Sequence, residues 1–198
     1  MRDNLSRENL YRKKKRIWFS KYTKNNMKKK LIIYSTTDGQ TFLICQRIKE
    51  ILNEKAEVSL LALAECSENE LENFDQIILG ASIRYGKHNP LVHKFVEMNR
   101  KILEEKSTAF FTVNVVARKQ NKNSPATNPY LKKFLKATSW KPDILGVFAG
   151  KIDYPKYGFF DKHMIRFIMY VTRGPTDTNG TYEFTNWKKV EEFAKELN

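Results

Sequence analysis

The sequence predicts an α/β domain on an open parallel sheet with helices on both faces. Five short apolar runs have the length and bulk of buried strands, and helix-patterned segments alternate with them. The first such run feeds through a tight, hydroxyl-rich turn straight into a helical pattern, the opening of a βα unit. A hydrophobic content of 41% with 29% charged residues belongs to a globular protein, and no apolar run approaches the ~20 residues of a membrane span. At 198 residues the chain is expected to form one domain with a full core.

The elements follow in order. Leu31–Tyr34 is the first strand, and Phe42, Ile44, Cys45, Ile48, Ile51 and Leu52 carry the first helix. Ala56–Leu60 is a weaker second strand, and Ser67-Glu68-Asn69-Glu70 has the form of a helix start. Phe74–Leu79 is a third strand, expected to end at Gly80. Pro90 opens a helix with Leu91, Val92, Phe95, Val96, Ile102 and Leu103 on its apolar side. Thr108–Val113 is a fourth strand, and Asn128-Pro129 caps a helix that turns Tyr130, Leu131, Phe134 and Leu135 inward. Ile144–Ala149 is the fifth strand, and Trp187, Val190, Phe193, Ala194 and Leu197 define the last helix.

Residues 151–178 break this alternation. Between the fifth strand and the last helix stands Lys-Ile-Asp-Tyr-Pro-Lys-Tyr-Gly, then a helical stretch from Phe159 to Arg173. Phe160, Met164, Phe167, Ile168 and Val171 share one face, and Lys162, Arg166 and Arg173 another. Two readings stand: a core helix, or a basic amphipathic helix that meets a membrane, a lipid-soluble substrate or a partner.

Open parallel sheets bind ligands beyond the carboxyl ends of their strands, where the strand order reverses. The loops there are Ser35-Thr36-Thr37-Asp38-Gly39-Gln40-Thr41, then Gly80 through Ala81, Ser82, Ile83, Arg84 and Tyr85 to Gly86, and Asn114-Val115-Val116-Ala117-Arg118. All three should converge on one crevice. The first aims backbone N–H groups and a helix dipole at one point, with hydroxyls as further donors, which suits a phosphate monoester. It lacks the Gly-Lys-Ser/Thr ending of a Walker loop and is not a GxGxxG fingerprint. That pattern fits flavin mononucleotide (FMN) better than ATP or NAD.

In the second loop, small residues admit a flat ring, Tyr85 could stack on it, and Arg84 could stabilise an anionic flavin or a substrate carboxylate. His88 could exchange protons, although a lone loop histidine is generally solvated. Backbone groups of the third loop could bond the pyrimidine edge of a flavin, while Arg118 and Lys119 offer charge to an acidic substrate.

The net charge of +14 favours anionic partners. It is concentrated in residues 1–26, which hold nine Lys/Arg against two Asp/Glu and include the block Arg12-Lys13-Lys14-Lys15-Arg16. Residues 27–198 are expected to form the domain. The extension is read as a disordered basic arm, able to tether to a membrane, or as an unused upstream start. Cys45 and Cys66 have no metal-ligand spacing, so no metal site and no disulfide framework is expected, and a reducing cytoplasm is the default. The aromatic residues are not interleaved with basic ones as in a nucleic-acid groove, so no nucleic-acid partner is expected.

Taken together, the hydroxyl-rich turn, Gly-Ala-Ser-Ile-Arg-Tyr-Gly and Asn-Val-Val-Ala-Arg-Lys resemble the flavodoxin-fold, menaquinone-dependent protoporphyrinogen IX dehydrogenases of bacterial haem synthesis. The likeness runs from residue 27 to about 197 and takes in Tyr-Pro-Lys-Tyr, Phe-Asp-Lys-His-Met-Ile and Thr-Asp-Thr. It implies a flavodoxin-like five-stranded parallel sheet with an insert after the fifth strand. It also implies non-covalent FMN and six-electron oxidation of protoporphyrinogen IX to protoporphyrin IX, with menaquinone or ubiquinone as acceptor. It places the protein peripherally on the cytoplasmic face of the inner membrane and is compatible with a homo-oligomer.

By position, Thr36–Gln40 would hold the phosphate with Ser35 and Thr41 beside them, and Ala81–Gly86 and Asn114–Arg118 would flank the isoalloxazine. Thr37 and Gln40 stand where the commoner flavodoxin turn has glycine and asparagine. The third loop lacks the aromatic that often stacks on flavin in electron carriers, which leaves one flavin face more open. No catalytic acid or base is assigned. Arg118, Lys119, Lys162 and Arg166 are expected to orient the substrate propionates. The competing readings are a flavodoxin-type electron carrier, which the positive charge disfavours, and an NAD(P)H-quinone reductase.

Overall fold

The computed structural model describes residues 27–198; the basic arm expected over residues 1–26 lies outside the described residues. The main sheet comprises β1 (Lys29–Ser35), β2 (Glu57–Ala62), β3 (Gln76–Arg84), β4 (Lys87–His88), β5 (Ser107–Val113) and β6 (Ile144–Phe148). Its order is β2-β1-β3-β5-β6, all parallel, with β4 added antiparallel to the end of β3. The order reverses between β1 and β3, so the loops following those strands flank the switch point.

The strands alternate their faces. Ile32, Ile78, Ala109 and Phe111 face α1 (Gln40–Leu52) and the last helix, α7 (Trp187–Glu196). Leu31, Ile33, Ile77, Leu79 and Phe110 face the opposite layer, made by α2 (Glu68–Leu71), α3 (Pro90–Met98), α4 (Arg100–Glu105) and α5 (Pro129–Thr138). Both faces are therefore covered, as a parallel sheet requires. Asn89 and Asn128 start α3 and α5 by accepting backbone N–H bonds just ahead of a proline at the first helical position. The single helix expected from Pro90 to Leu103 is interrupted at Asn99, whose side-chain amide donates to the Phe95 carbonyl.

The third strand does not end at Gly80. It runs on through Ala81, Ser82 and Ile83 to Arg84, then turns at Tyr85-Gly86 into β4, pairing Ile83 with His88 and Arg84 with Lys87. Gly80 is a packing glycine: a Cβ there would stand 2.3 Å from the Phe111 ring. The turn itself places Tyr85 and Gly86 at positive φ, 49° and 79°.

The insert after β6 has a small core of its own. β7 (Lys151–Asp153) pairs antiparallel with β8 (Thr181–Glu183), and α6 (Phe159–Val171) lies between them in sequence. Ile152, Tyr154 and Met169 are buried together, backed by Val115, Tyr157, Ile165 and Phe184. Met169 is the buried residue of α6, whereas Phe159, Phe160, Phe167 and Tyr170 are 63–85% exposed. Of the two readings, the packed core helix is therefore set aside, and an amphipathic helix with an uncovered apolar side remains. No helix among the described residues is long and apolar enough to cross a membrane.

Candidate functional site: a crevice at the switch point

The three loops meet. Asp38 from the first, Ile83–Gly86 from the second and Asn114–Val116 from the third line one crevice. Tyr130 of α5 and Tyr157, Ile165, Ile168 and Met169 of the insert close it. Tyr85, Gly86, Tyr130 and Ile168 also line a wider groove of about 890 Å3, whose remaining wall is Phe160, Asp161, His163, Met164 and Phe167. The enclosed crevice thus opens along the inner edge of α6.

At the phosphate turn, the Thr36 hydroxyl accepts from the Gly39 N–H at 3.0 Å. Gly39, at φ 85°, precedes the first helical residue, and nothing lies within 4 Å of where its Cβ would stand. No side chain caps α1 and no acidic residue occupies its first turn, so that turn's N–H groups carry unopposed partial positive charge. Thr41 is buried, and its hydroxyl has no partner. An uncapped helix start with an orphaned buried hydroxyl fits the phosphate monoester expected from the sequence.

Two side chains of this turn are committed elsewhere. The Gln40 amide donates to Glu183 Oε1 at 3.0 Å and Thr185 Oγ1 at 2.9 Å, leaving its backbone for the ligand. Arg84 donates to both Asp38 oxygens, at 2.9 and 2.7 Å, and to Asp161 Oδ2 at 2.6 Å. The guanidinium also lies 5.1 Å from the Tyr85 ring and 5.0 Å from that of Tyr157. One cation therefore joins the phosphate turn, the second loop and the first turn of α6. The Tyr85 hydroxyl donates to the same Asp161 carboxylate. Those contacts, the Tyr85 hydroxyl foremost, hold Asp161 below the ordinary carboxylate range. Burial raises Asp38 despite the opposing pull of Arg84. Thr37 Oγ1 reaches Ser82 Oγ at 3.4 Å, a further link between the first two loops.

The third loop is fixed from below. Asn114 Oδ1 accepts from the Ala117 N–H and from Asn128 Nδ2, at 3.0 and 3.3 Å. Its own amide nitrogen is buried without a partner. The sequence aimed Arg118 at a substrate; in the structure its guanidinium donates to the Thr172 carbonyl and hydroxyl, both at 2.9 Å, and to the Val115 carbonyl at 3.1 Å. It ties the third loop to the end of α6 and does not line the crevice or the groove. Lys119, Lys162 and Arg166 do not line them either.

His88 is not a solvated loop histidine. It is 6% exposed, with Nε2 3.2 Å from Thr112 Oγ1 and its ring 4.8 Å from that of Phe134. Burial, with His93 adding to it, pushes its pKa down to about 3. It is a neutral core residue, and its β4 position was hidden because the sequence does not mark the hairpin. Tyr130 and Tyr157 were not anticipated at the crevice, nor Asp161 on the wall of the groove beside it. The one signal for Asp161 is that it is the sole acid within α6.

A flavodoxin domain is recognised over residues 31–179. The protein named protoporphyrinogen IX dehydrogenase [quinone] of Escherichia coli K12 is 39% identical over 170 residues, spanning 85% of this chain and 94% of that one. This chain belongs to the quinone-dependent protoporphyrinogen IX dehydrogenase family. A relative of the same name from Leishmania major is 40% identical, covering 84% of this chain and 73% of its own. Solved flavodoxins are far more distant. One from Fusobacterium nucleatum, bound to flavin mononucleotide, is 17% identical with a TM-score of 0.45, over 86% of this chain and 97% of that one. Among the described residues there is no cluster of His, Cys, Asp or Glu able to hold a metal.

Proposed function

We propose that this protein oxidises protoporphyrinogen IX to protoporphyrin IX with a quinone as electron acceptor and FMN as its bound cofactor. One observation carries the reading: the three loops that bear the family resemblance line, or abut, a single crevice at the switch point, and the insert closes it. Bound FMN would supply a two-electron acceptor that can be reoxidised, which suits a six-electron oxidation taken in three rounds.

The residues divide the work. The first-turn N–H groups of α1, with Thr36, Thr37 and Thr41, hold the phosphate, and Ser35 stands beside them. Ala81 to Gly86 and Asn114 to Ala117 flank the ring. Arg84 neutralises Asp38, which would otherwise repel the phosphate. The unpartnered Asn114 amide would be available as a donor to the flavin. The groove is lined mainly by apolar side chains and suits a flat, lipid-soluble reactant.

The exposed Phe159, Phe160, Phe167 and Tyr170, beside Lys162, Arg166 and Arg173, suit a peripheral position on an anionic membrane, where quinone is dissolved. With α6 laid on that surface, the groove along its inner edge lies next to the lipid.

The test is anaerobic mixing of FMN-loaded protein with protoporphyrinogen IX and a menaquinone analogue. Porphyrin fluorescence that grows only when quinone is present supports the reading. Flavin reduction by NADPH without porphyrinogen turnover would replace it with a reductase.

A further inference from the structure

Among the described residues, no free cation lines the groove beside α6. Its carboxylate, Asp161, is already bound by Arg84 and Tyr85, and His163 stands edge-on to Phe159. Arg118 is tied to Thr172, and Lys162 and Arg166 lie off the groove wall. An amphipathic dicarboxylate with a large apolar body would fill this groove and leave its acid groups unmet. Lys151 lines the adjoining crevice but stands 3.8 Å from Asp153 Oδ2, and two further lysines lie on the other side of the groove.

Gly86 and Tyr130 form a saddle between the groove and a second hollow of about 300 Å3: both residues line both spaces, and a Cβ on Gly86 would stand 3.6 Å from the Tyr130 ring. Lys87 and Lys133 line that hollow, and both are exposed. Each is fixed to the saddle by regular structure. Lys87 follows Gly86 directly into β4, and Lys133 sits three residues after Tyr130 on the same face of α5. Among the described residues, the other ionisable groups lining the hollow are His88, His93 and Tyr130, and no carboxylate is there.

We propose that Lys87 and Lys133 are the carboxylate anchor of the porphyrinogen site. The assignment rests on the functional reading above and deepens it. The tetrapyrrole lies against the Tyr85–Tyr130 side of the groove, its propionate edge passes over the Gly86 saddle to the two lysines, and its methyl and vinyl edge runs along Phe160, Met164 and Phe167. This orientation places the macrocycle across the mouth of the crevice, and it distinguishes a dicarboxylate porphyrinogen from an uncharged quinone that shares the groove. Two flexible, solvated ammonium groups suit two flexible propionates, each pair contributing modestly.

The test uses the full-length FMN-bound protein and its Lys87→Gln/Lys133→Gln double variant. Binding of protoporphyrin IX and of its dimethyl ester is measured by fluorescence titration, alongside kinetics with protoporphyrinogen IX. The expected result is a roughly tenfold rise in KM for the porphyrinogen and in Kd for the porphyrin diacid. Ester binding, FMN affinity and quinone KM should be unchanged, and wild-type affinity for the diacid alone should fall as salt is added. Unchanged diacid binding in the variant overturns the anchor, as does equal weakening of diacid and ester. A wild-type protein that binds the diacid through these lysines yet turns over no porphyrinogen supports the anchor and overturns the proposed activity.

Discussion

Thr41 shows how a polar side chain can be placed for a ligand rather than for the fold. The Thr41 hydroxyl is buried without a partner, so it weakens the ligand-free protein and gains one only when an acceptor arrives. Thr41→Val keeps the shape and removes the hydroxyl. Ligand-free stability should rise by about 1 kcal/mol while FMN affinity falls about tenfold, read by urea melts and by flavin fluorescence. A variant with lower stability and unaltered FMN binding would assign Thr41 to packing.

Arg84 is the opposite case, a side chain 20% exposed that spends every strong contact on holding three segments together. Arg84→Ala should cost about 1 kcal/mol of stability and weaken FMN by leaving the Asp38 carboxylate beside the phosphate. Asp38→Asn added to that variant should recover most of the FMN affinity, and a cycle without such coupling would refute the neutralising role. His88 sets the acid limit. Its folded pKa of about 3 lies below the ordinary 6.5, so the unfolded chain binds the proton first, and stability falls as pH drops from 6.5 toward 3. Between pH 7 and pH 5 this histidine should cost about 2 kcal/mol, and His88→Gln should flatten that slope in denaturant melts.

At the scale of elements, the parallel strands and the covering helices were readable because each carries its own period. Leu31–Tyr34 and Ala109–Phe111 are apolar runs, as strands buried on both faces tend to be. The β3–β4 hairpin was not readable. Its glycine at residue 80 mimics a strand end but exists to admit the Phe111 ring, and a two-residue strand has no period to detect. That error placed His88 in solvent and hid the saddle at Gly86.

The α6 helix was legible as amphipathic, but its outward apolar side depends on how the insert's small core seats it, which local sequence does not encode. Phe160→Ser/Phe167→Ser should leave stability within about 0.5 kcal/mol, since both residues are exposed, and should abolish sedimentation with anionic vesicles. Vesicle binding that survives the change would remove α6 from the membrane contact.

For the whole molecule, topology does what motifs alone did not. No single loop identifies the ligand, yet the strand order β2-β1-β3-β5-β6 brings the loops after β1, β3 and β5 to one end of the sheet, and the insert after β6 covers them. The crevice was foreseeable from the alternation of elements. Its closure by Tyr130 and Tyr157, and the place of Asp161 on the adjoining groove, were not, because those contacts join segments distant in sequence. The capture of Arg118 by Thr172, 54 residues on, escaped the sequence for the same reason.

On the proposed function, the uncovered apolar helix and the groove beside it would hold a flavin where a lipid-soluble acceptor and an anionic reductant could both reach it. The most direct test of that claim is a single anaerobic turnover. FMN-loaded protein mixed with protoporphyrinogen IX, without quinone, should lose its oxidised-flavin absorbance, and adding a menaquinone analogue should restore it. A protein that binds FMN tightly but keeps its colour unchanged under excess protoporphyrinogen IX would contradict the account.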